Sequence, residues 1–169
     1  QCDWSSDVCS SDLVHENFFI SPVDLLPIKK FDFILYWPNK LYNLMALKRL
    51  QSEYKQLLTE PNYFYSVEPD SKNFFVWNVL LIGPPDSPFE GGIFKCQFKF
   101  SQNYPNKAPE FRFLSSFPHP NIYPDGKVCI SILHEGKDEW GYEDISERWN
   151  PSHSVNSVLM SILSMITNP

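Results

Sequence analysis

Four short runs constrain this chain more than anything else in it: Tyr63 to Val67, Phe74 to Ile82, Ile93 to Phe100 and Glu110 to Leu114. Each is rich in aromatic and β-branched residues, and each is bounded by turn formers, which is how strands read. Gly83-Pro84-Pro85 and Gly91-Gly92 break the run where strands should end. The third run alternates best. Phe94, Cys96, Phe98 and Phe100 share one face, and Lys95, Gln97 and Lys99 the other. Cys96 therefore reads as a small core residue rather than a reactive thiol. No helical stretch separates the runs, so they predict an antiparallel meander in an α+β fold.

Helical stripes flank the meander. Leu47, Leu50, Tyr54, Leu57 and Leu58 recur at helical spacing and predict a helix from Met45 to Leu58, stopped by Pro61. Lys48, Arg49 and Lys55 then fall on its outer face. Near the end, Val155, Val158, Leu159, Ile162, Leu163 and Ile166 make a second, buried stripe, capped by Ser154. Met160 and Met165 belong at its edge.

The stretch between, His119 to Leu133, concentrates the chemistry. Pro124-Asp125-Gly126 is a turn: Pro sets φ, Asp bonds back to the backbone and Gly takes positive φ. Cys129 follows three residues later, and Asn121 stands eight residues before it. A cysteine is a candidate nucleophile and a nearby amide a candidate oxyanion donor. An ordinary thiol, with a pKa of about 8.5, is only a few per cent thiolate at neutral pH. Exchange between thioesters is nearly balanced and needs no hydrolytic machinery. Asn121 reads equally as a structural residue that bonds backbone under the cysteine. His119 reads as a buried, satisfied histidine.

His-Pro-Asn with a cysteine eight residues after the Asn, inside a framework from about Leu44 to Pro169, resembles the ubiquitin-conjugating enzymes and their UBC fold. The nearest resemblance is to the long-acidic-loop subfamily of endoplasmic-reticulum-associated degradation. It implies an N-terminal helix, a four-stranded meander, an active-site loop and a central helix. It also implies that Cys129 accepts ubiquitin from an activating enzyme as a thioester. The ubiquitin then passes to a lysine of a substrate or of ubiquitin, assisted by a RING-type ligase, with Asn121 as the oxyanion donor. His119, Pro120 and Tyr123 are then supporting residues of the active-site loop. ATP is used by the upstream enzyme; no phosphate-binding loop occurs here, and no cofactor is expected. In the family the first helix is used by the activating enzyme and ligases, which makes Lys48 and Arg49 partner-binding candidates.

The proline-braced loop Asn103 to Pro109 carries Asn106 where the family usually places a large apolar residue that inserts into ligases. This departure shifts the expected grip toward other contacts; the loop also reads as a plain connection between strands. Trp149 and Pro151 form the family's Trp-x-Pro landmark beside it. His134 to Arg148 is an acidic segment with six carboxylates: Glu135, Asp138, Glu139, Glu143, Asp144 and Glu147. It reads as a solvated loop. Opening five residues after Cys129, it should also overhang the cysteine and attract an incoming lysine. His134, Asp138 and Glu139 are its supporting candidates, and His134 is either an exposed loop histidine or local to that lysine. Trp140 and Tyr142 anchor the loop or contact ubiquitin.

Composition removes other classes. At 169 residues the chain suits one domain, and a net charge of −6 with 43% apolar residues is ordinary for a globular protein. The acidic balance argues against nucleic acid as the main partner. No run of about 18 apolar residues exists, so no membrane span is expected. Cys2, Cys9, Cys96 and Cys129 form no CxxC pair and no zinc spacing, which implies free thiols, a reducing compartment and no metal. The resemblance places the protein in the cytoplasm, recruited to the endoplasmic-reticulum surface.

The ends read differently. Residues 2 to 13, CDWSSDVCSSDL, resemble the translation of a common short-read sequencing adapter and are expected to be non-native. Residues 14 to 43 are apolar without a sustained period, and Pro22, Pro27 and Pro38 interrupt them. The family domain is expected from residue 44. At Thr167-Asn168-Pro169 the resemblance implies that two further C-terminal helices are missing. Two other readings compete with the carrier. One is a non-catalytic module of the same fold that holds ubiquitin or a ligase. The other is a cysteine hydrolase, which would need a histidine base and an orienting carboxylate beside Cys129, and no such pair stands out.

Overall fold

The computed structural model describes residues 33–167. The readings on residues 2–13 and 14–32, with Cys2 and Cys9, lie outside the described residues, as do Asn168 and Pro169. The elements run α1 (Phe33–Thr59), β1 (Tyr65–Pro69), β2 (Val76–Ile82), β3 (Ile93–Lys99), β4 (Glu110–Phe113), a 3₁₀ turn (Ser131–Leu133) and α2 (Val155–Thr167). The strands form one antiparallel sheet in sequential order, so the expected meander is present.

The strand starts differ from the sequence reading for a local reason. Asn62 Oδ1 accepts the Phe64 amide at 2.8 Å, which holds that stretch in a turn and lets β1 begin at Tyr65. Asp70 and Asn73 do the same ahead of β2: their side-chain oxygens take the amides of Lys72, Asn73 and Phe75. Pro69 ends β1, an edge strand, where a missing N–H costs nothing in the ladder.

Alternation sets the sheet's inner face. Trp77 pairs with Phe98, and Phe98 with Phe111, so three buried aromatics form one row across the sheet. Val79, Cys96 and Phe113 make the next row. Full burial of one such side chain contributes about 2 kcal/mol. Cys96 is 1% exposed and burial pushes its thiol up to about 12, which makes it the expected inert core residue. The α2 stripe is buried at all six expected positions. Ser154 caps α2 through a reciprocal pair: its Oγ accepts the Ser157 amide at 3.3 Å, and its own amide donates to Ser157 Oγ at 2.9 Å.

The first helix departs from expectation in two ways. It begins at Phe33, not Met45, and Pro38 lies within it, although an interior proline forgoes one backbone donor and crowds the carbonyl four residues earlier. Its buried face also runs one position earlier, through Ala46, Leu50 and Glu53, with Leu57 partly buried. Leu58 lies about 100° further round and is 63% exposed.

Glu53 is the residue the stripe misses. It is 6% exposed and holds three elements together. Oε1 accepts from Arg49 and from Tyr104 Oη (2.7 Å), and Oε2 accepts the Val155 amide at the start of α2 (2.7 Å). A carboxylate at a helix N-terminus satisfies an otherwise orphaned donor and meets the positive end of the dipole. Arg49 also donates to the His153 carbonyl at 2.9 Å, which ties α1 to the residues before α2. Glu53→Ala strands a buried phenol and a buried amide. Urea unfolding should show a loss of about 3 kcal/mol with an unchanged m value.

Candidate active site

The segment that carries Cys129 is pinned to β4. Gly126 has φ 82°, and its carbonyl accepts the Phe113 amide at 2.9 Å. A Cβ there would lie 2.0 Å from the Phe113 carbonyl oxygen, so only glycine allows the approach. Asp125 Oδ1 accepts the Lys127 amide at 3.0 Å and Oδ2 receives Arg112 at 2.7 Å. These contacts hold its carboxyl below the ordinary range, the Lys127 amide foremost. The expected turn is thus present, and the Val128 amide bonds the Phe111 carbonyl at 3.1 Å to continue the pairing.

From that anchor the His-Pro-Asn corner meets the cysteine. The Cys129 amide donates to the Asn121 carbonyl at 2.9 Å, and Asn121 Nδ2 donates to the Cys129 carbonyl at 3.3 Å. In this structure the Asn121 side chain therefore makes the backbone bond of its structural reading. His119 is 8% exposed. Its Nδ1 accepts the Asn121 amide at 3.0 Å, so the ring proton sits on Nε2, which faces the Met165 carbonyl at 3.3 Å. Pro120 is exposed. Tyr123 Oη donates to Cys129 Sγ at 3.8 Å.

Cys129 is half-buried, and its sulfur borders an open cleft of about 680 Å³ that Tyr123, Lys127, His134 and Arg148 help to line. The 3₁₀ turn folds the chain back after the cysteine, and the Leu133 and His134 amides close it on Ile130 and Ser131. His134 Nε2 lies 3.3 Å from Cys129 Sγ. On the other side of the ring, Nδ1 lies 2.8 and 3.0 Å from the two oxygens of Glu143. This corrects the expectation that no histidine–carboxylate pair stands by the cysteine. The pair escapes the sequence because its members are nine residues apart, on a loop whose course spacing cannot reveal.

The loop is a hydrogen-bonded frame. Gly136 and Gly141 both take φ 71°, and between them Asp138 accepts the amides of Trp140, Tyr142 and Glu143 at 3.1, 2.5 and 3.0 Å. Glu143 also receives Ser131 Oγ at 3.1 Å and Arg148 Nη1 at 2.8 Å. Burial pushes its carboxyl up, but the His134 and Ser131 bonds and the nearby charges outweigh it, and the net direction is down. Arg148 reaches the Glu135 carbonyl, and Glu135 Oε1 accepts the Ala108 amide at 2.8 Å, which joins the loop to the proline-braced loop. Glu139, Trp140 and Tyr142 are exposed.

The partner-binding candidates are spread out. Lys48 is exposed on α1, whereas Arg49 is occupied by Glu53 and the His153 carbonyl. Asn106 and Pro151 are exposed, and Trp149, which is 7% exposed, donates Nε1–H to the Pro105 carbonyl at 2.8 Å. Among the described residues, no three His, Cys, Asp or Glu side chains converge as metal ligands would, and no helix is long and apolar enough to cross a membrane.

The site is thus a half-buried thiol on a braced loop, bordering a cleft on an α-flanked meander. Residues 49–169 match the family described as ubiquitin-conjugating enzyme. Over 129 residues the chain is 50% identical to ubiquitin-conjugating enzyme E2 13 of Arabidopsis thaliana, across 75% of this chain and 78% of that protein. Human E2 G2 is 48% identical over 126 residues, across 73% of this chain and 76% of that one. The solved structure of human E2 G1 superposes with a TM-score of 0.66 at 36% identity, across 75% of this chain and 98% of that one. The chain belongs to the ubiquitin-conjugating enzymes, and the catalytic reading prevails over the binding-module reading. As a family, these enzymes work with ubiquitin, an activating enzyme and a ligase.

Asp138 sets a pH prediction for the loop. The Trp140 amide foremost, then those of Glu143 and Tyr142 and the charge of Arg148, hold its carboxyl below the ordinary range. A lowered folded value means the stabilisation is present above the ordinary carboxylate range and is lost as pH falls through the lowered value. Amide hydrogen exchange should show protection of Trp140, Tyr142 and Glu143 that declines below about pH 4. In Asp138→Asn that protection should already be reduced at neutral pH.

Proposed function

We propose that Cys129 is the residue that carries ubiquitin, as a thioester between its sulfur and the ubiquitin C-terminus. The observation that carries this reading is the sulfur's position: half-buried, bordering the cleft, with its backbone bonded to Asn121 and a histidine at 3.3 Å. The charged enzyme then passes ubiquitin to a lysine of a substrate or of ubiquitin, helped by a RING-type ligase. Asn121, whose amide lies on the cysteine's own carbonyl, also donates to the oxyanion that develops during lysine attack. ATP is consumed upstream by the activating enzyme, and this chain needs no cofactor of its own.

The protein works in endoplasmic-reticulum-associated degradation, in the cytoplasm and recruited to the membrane surface by a partner. Support for this subfamily comes from the acidic segment His134 to Arg148, which folds back onto the cysteine. The ligase surface lies around Asn106, Trp149 and Pro151, with Lys48 on the activating-enzyme side.

The full chain, incubated with ubiquitin, activating enzyme and ATP, should give a thiol-sensitive band one ubiquitin heavier on a gel run without reductant. Cys129→Ala should lose it. Asn121→Ala should charge, then discharge to lysine about 10²-fold more slowly. A thiol-sensitive band that persists in Cys129→Ala would move the carrier role to another cysteine.

A further inference from the structure

We propose that His134 is the proton-transfer residue of ubiquitin discharge and that Glu143, clamped by Arg148 and Ser131, is the residue that positions it. This rests on Cys129 as the carrier. Three contacts point to it. His134 Nε2 is 3.3 Å from the sulfur, within reach of anything that attacks a thioester there. Nδ1 is held by both oxygens of Glu143 at 2.8 and 3.0 Å. Those oxygens are in turn held by Arg148 Nη1 at 2.8 Å and Ser131 Oγ at 3.1 Å. A carboxylate on Nδ1 selects the tautomer with its proton there and leaves the Nε2 lone pair free to accept. It also stabilises the imidazolium that forms when Nε2 takes a proton.

The protons balance without another reactant. At neutral pH the lysine arrives as an ammonium, and His134 Nε2 takes one of its protons. The neutral amine then forms a C–N bond to the thioester carbon. The tetrahedral intermediate breaks its C–S bond, the electron pair leaves on Sγ, and the surplus proton on nitrogen goes to the thiolate. His134 releases its proton to solvent, which leaves an isopeptide, a free thiol and the starting imidazole. The ionisable groups around the ring are Cys129 and Tyr123 on the sulfur side, Glu143 and Arg148 behind it, and the neighbouring Glu135. Asp138 supports the arrangement through the Glu143 amide.

The test is single-turnover discharge of the full chain, with the charged fraction isolated first so that loading rate does not enter. Wild type, His134→Gln and Glu143→Gln are compared with free lysine and with hydroxylamine, an amine already neutral near pH 7, between about pH 6 and 9. Discharge to lysine near neutral pH should fall about 10²-fold in His134→Gln and about tenfold in Glu143→Gln. The deficit should shrink as pH rises toward the lysine's own ionisation, and it should be small with hydroxylamine at every pH. An equal loss with both amines at all pH values, or no loss with lysine, overturns the proposal. A wild-type chain that never forms the thiol-sensitive band overturns the carrier reading instead.

Discussion

A single buried carboxylate orders much of this molecule. Glu53 accepts from Arg49 on its own helix, from Tyr104 in the proline-braced loop and from the first amide of α2. A buried charge costs several kcal/mol unless it is fully partnered, so the three groups must arrive together. The consequences reach the cysteine. Tyr104 packs against Trp149 with ring centres 5.8 Å apart, and the Trp149 amide bonds the His134 carbonyl at 2.9 Å. Burial pushes the Tyr104 phenol up, and the charge of Glu53 adds to this, so the phenol stays a donor. The histidine beside the sulfur is therefore held in a short series of contacts that starts in the core.

The acidic loop takes on a different character once its carboxylates are followed individually. Asp138 serves three amides, Asp144 caps Ser146, Glu135 holds the Ala108 amide, and Glu143 serves His134, Ser131 and Arg148. Most of the negative charge builds the loop and orients one imidazole. Glu139 and Glu147 remain exposed in solvent, where the reach of a charge is screened over about 10 Å. The acid count alone suggests steering; the bonds point to positioning.

Much of the fold is legible in the chain itself, because period-two and helical repeats report burial directly. The inward Phe94–Cys96–Phe98 face, the α2 stripe, the Ser154 cap and the Pro124–Gly126 turn each follow from local rules. The strand starts shift only where an Asn or Asp side chain competes for the backbone. The first helix is harder to read, since a glutamate on its inward face looks like surface until its partners are known.

Local sequence alone determined the meander, the α2 stripe, the inert Cys96 and the eight-residue spacing that brings Asn121 against Cys129, since these depend on residues near each other in the chain or on simple periodicity. The tertiary structure decided that Glu53 is internal and that Glu143, Arg148 and Ser131 converge on His134. Burial of a charge is set by partners far away in sequence, here the Val155 amide 102 residues from Glu53. The direction of a side chain on an irregular loop is likewise set by the loop's closed network of bonds, which has no period to read.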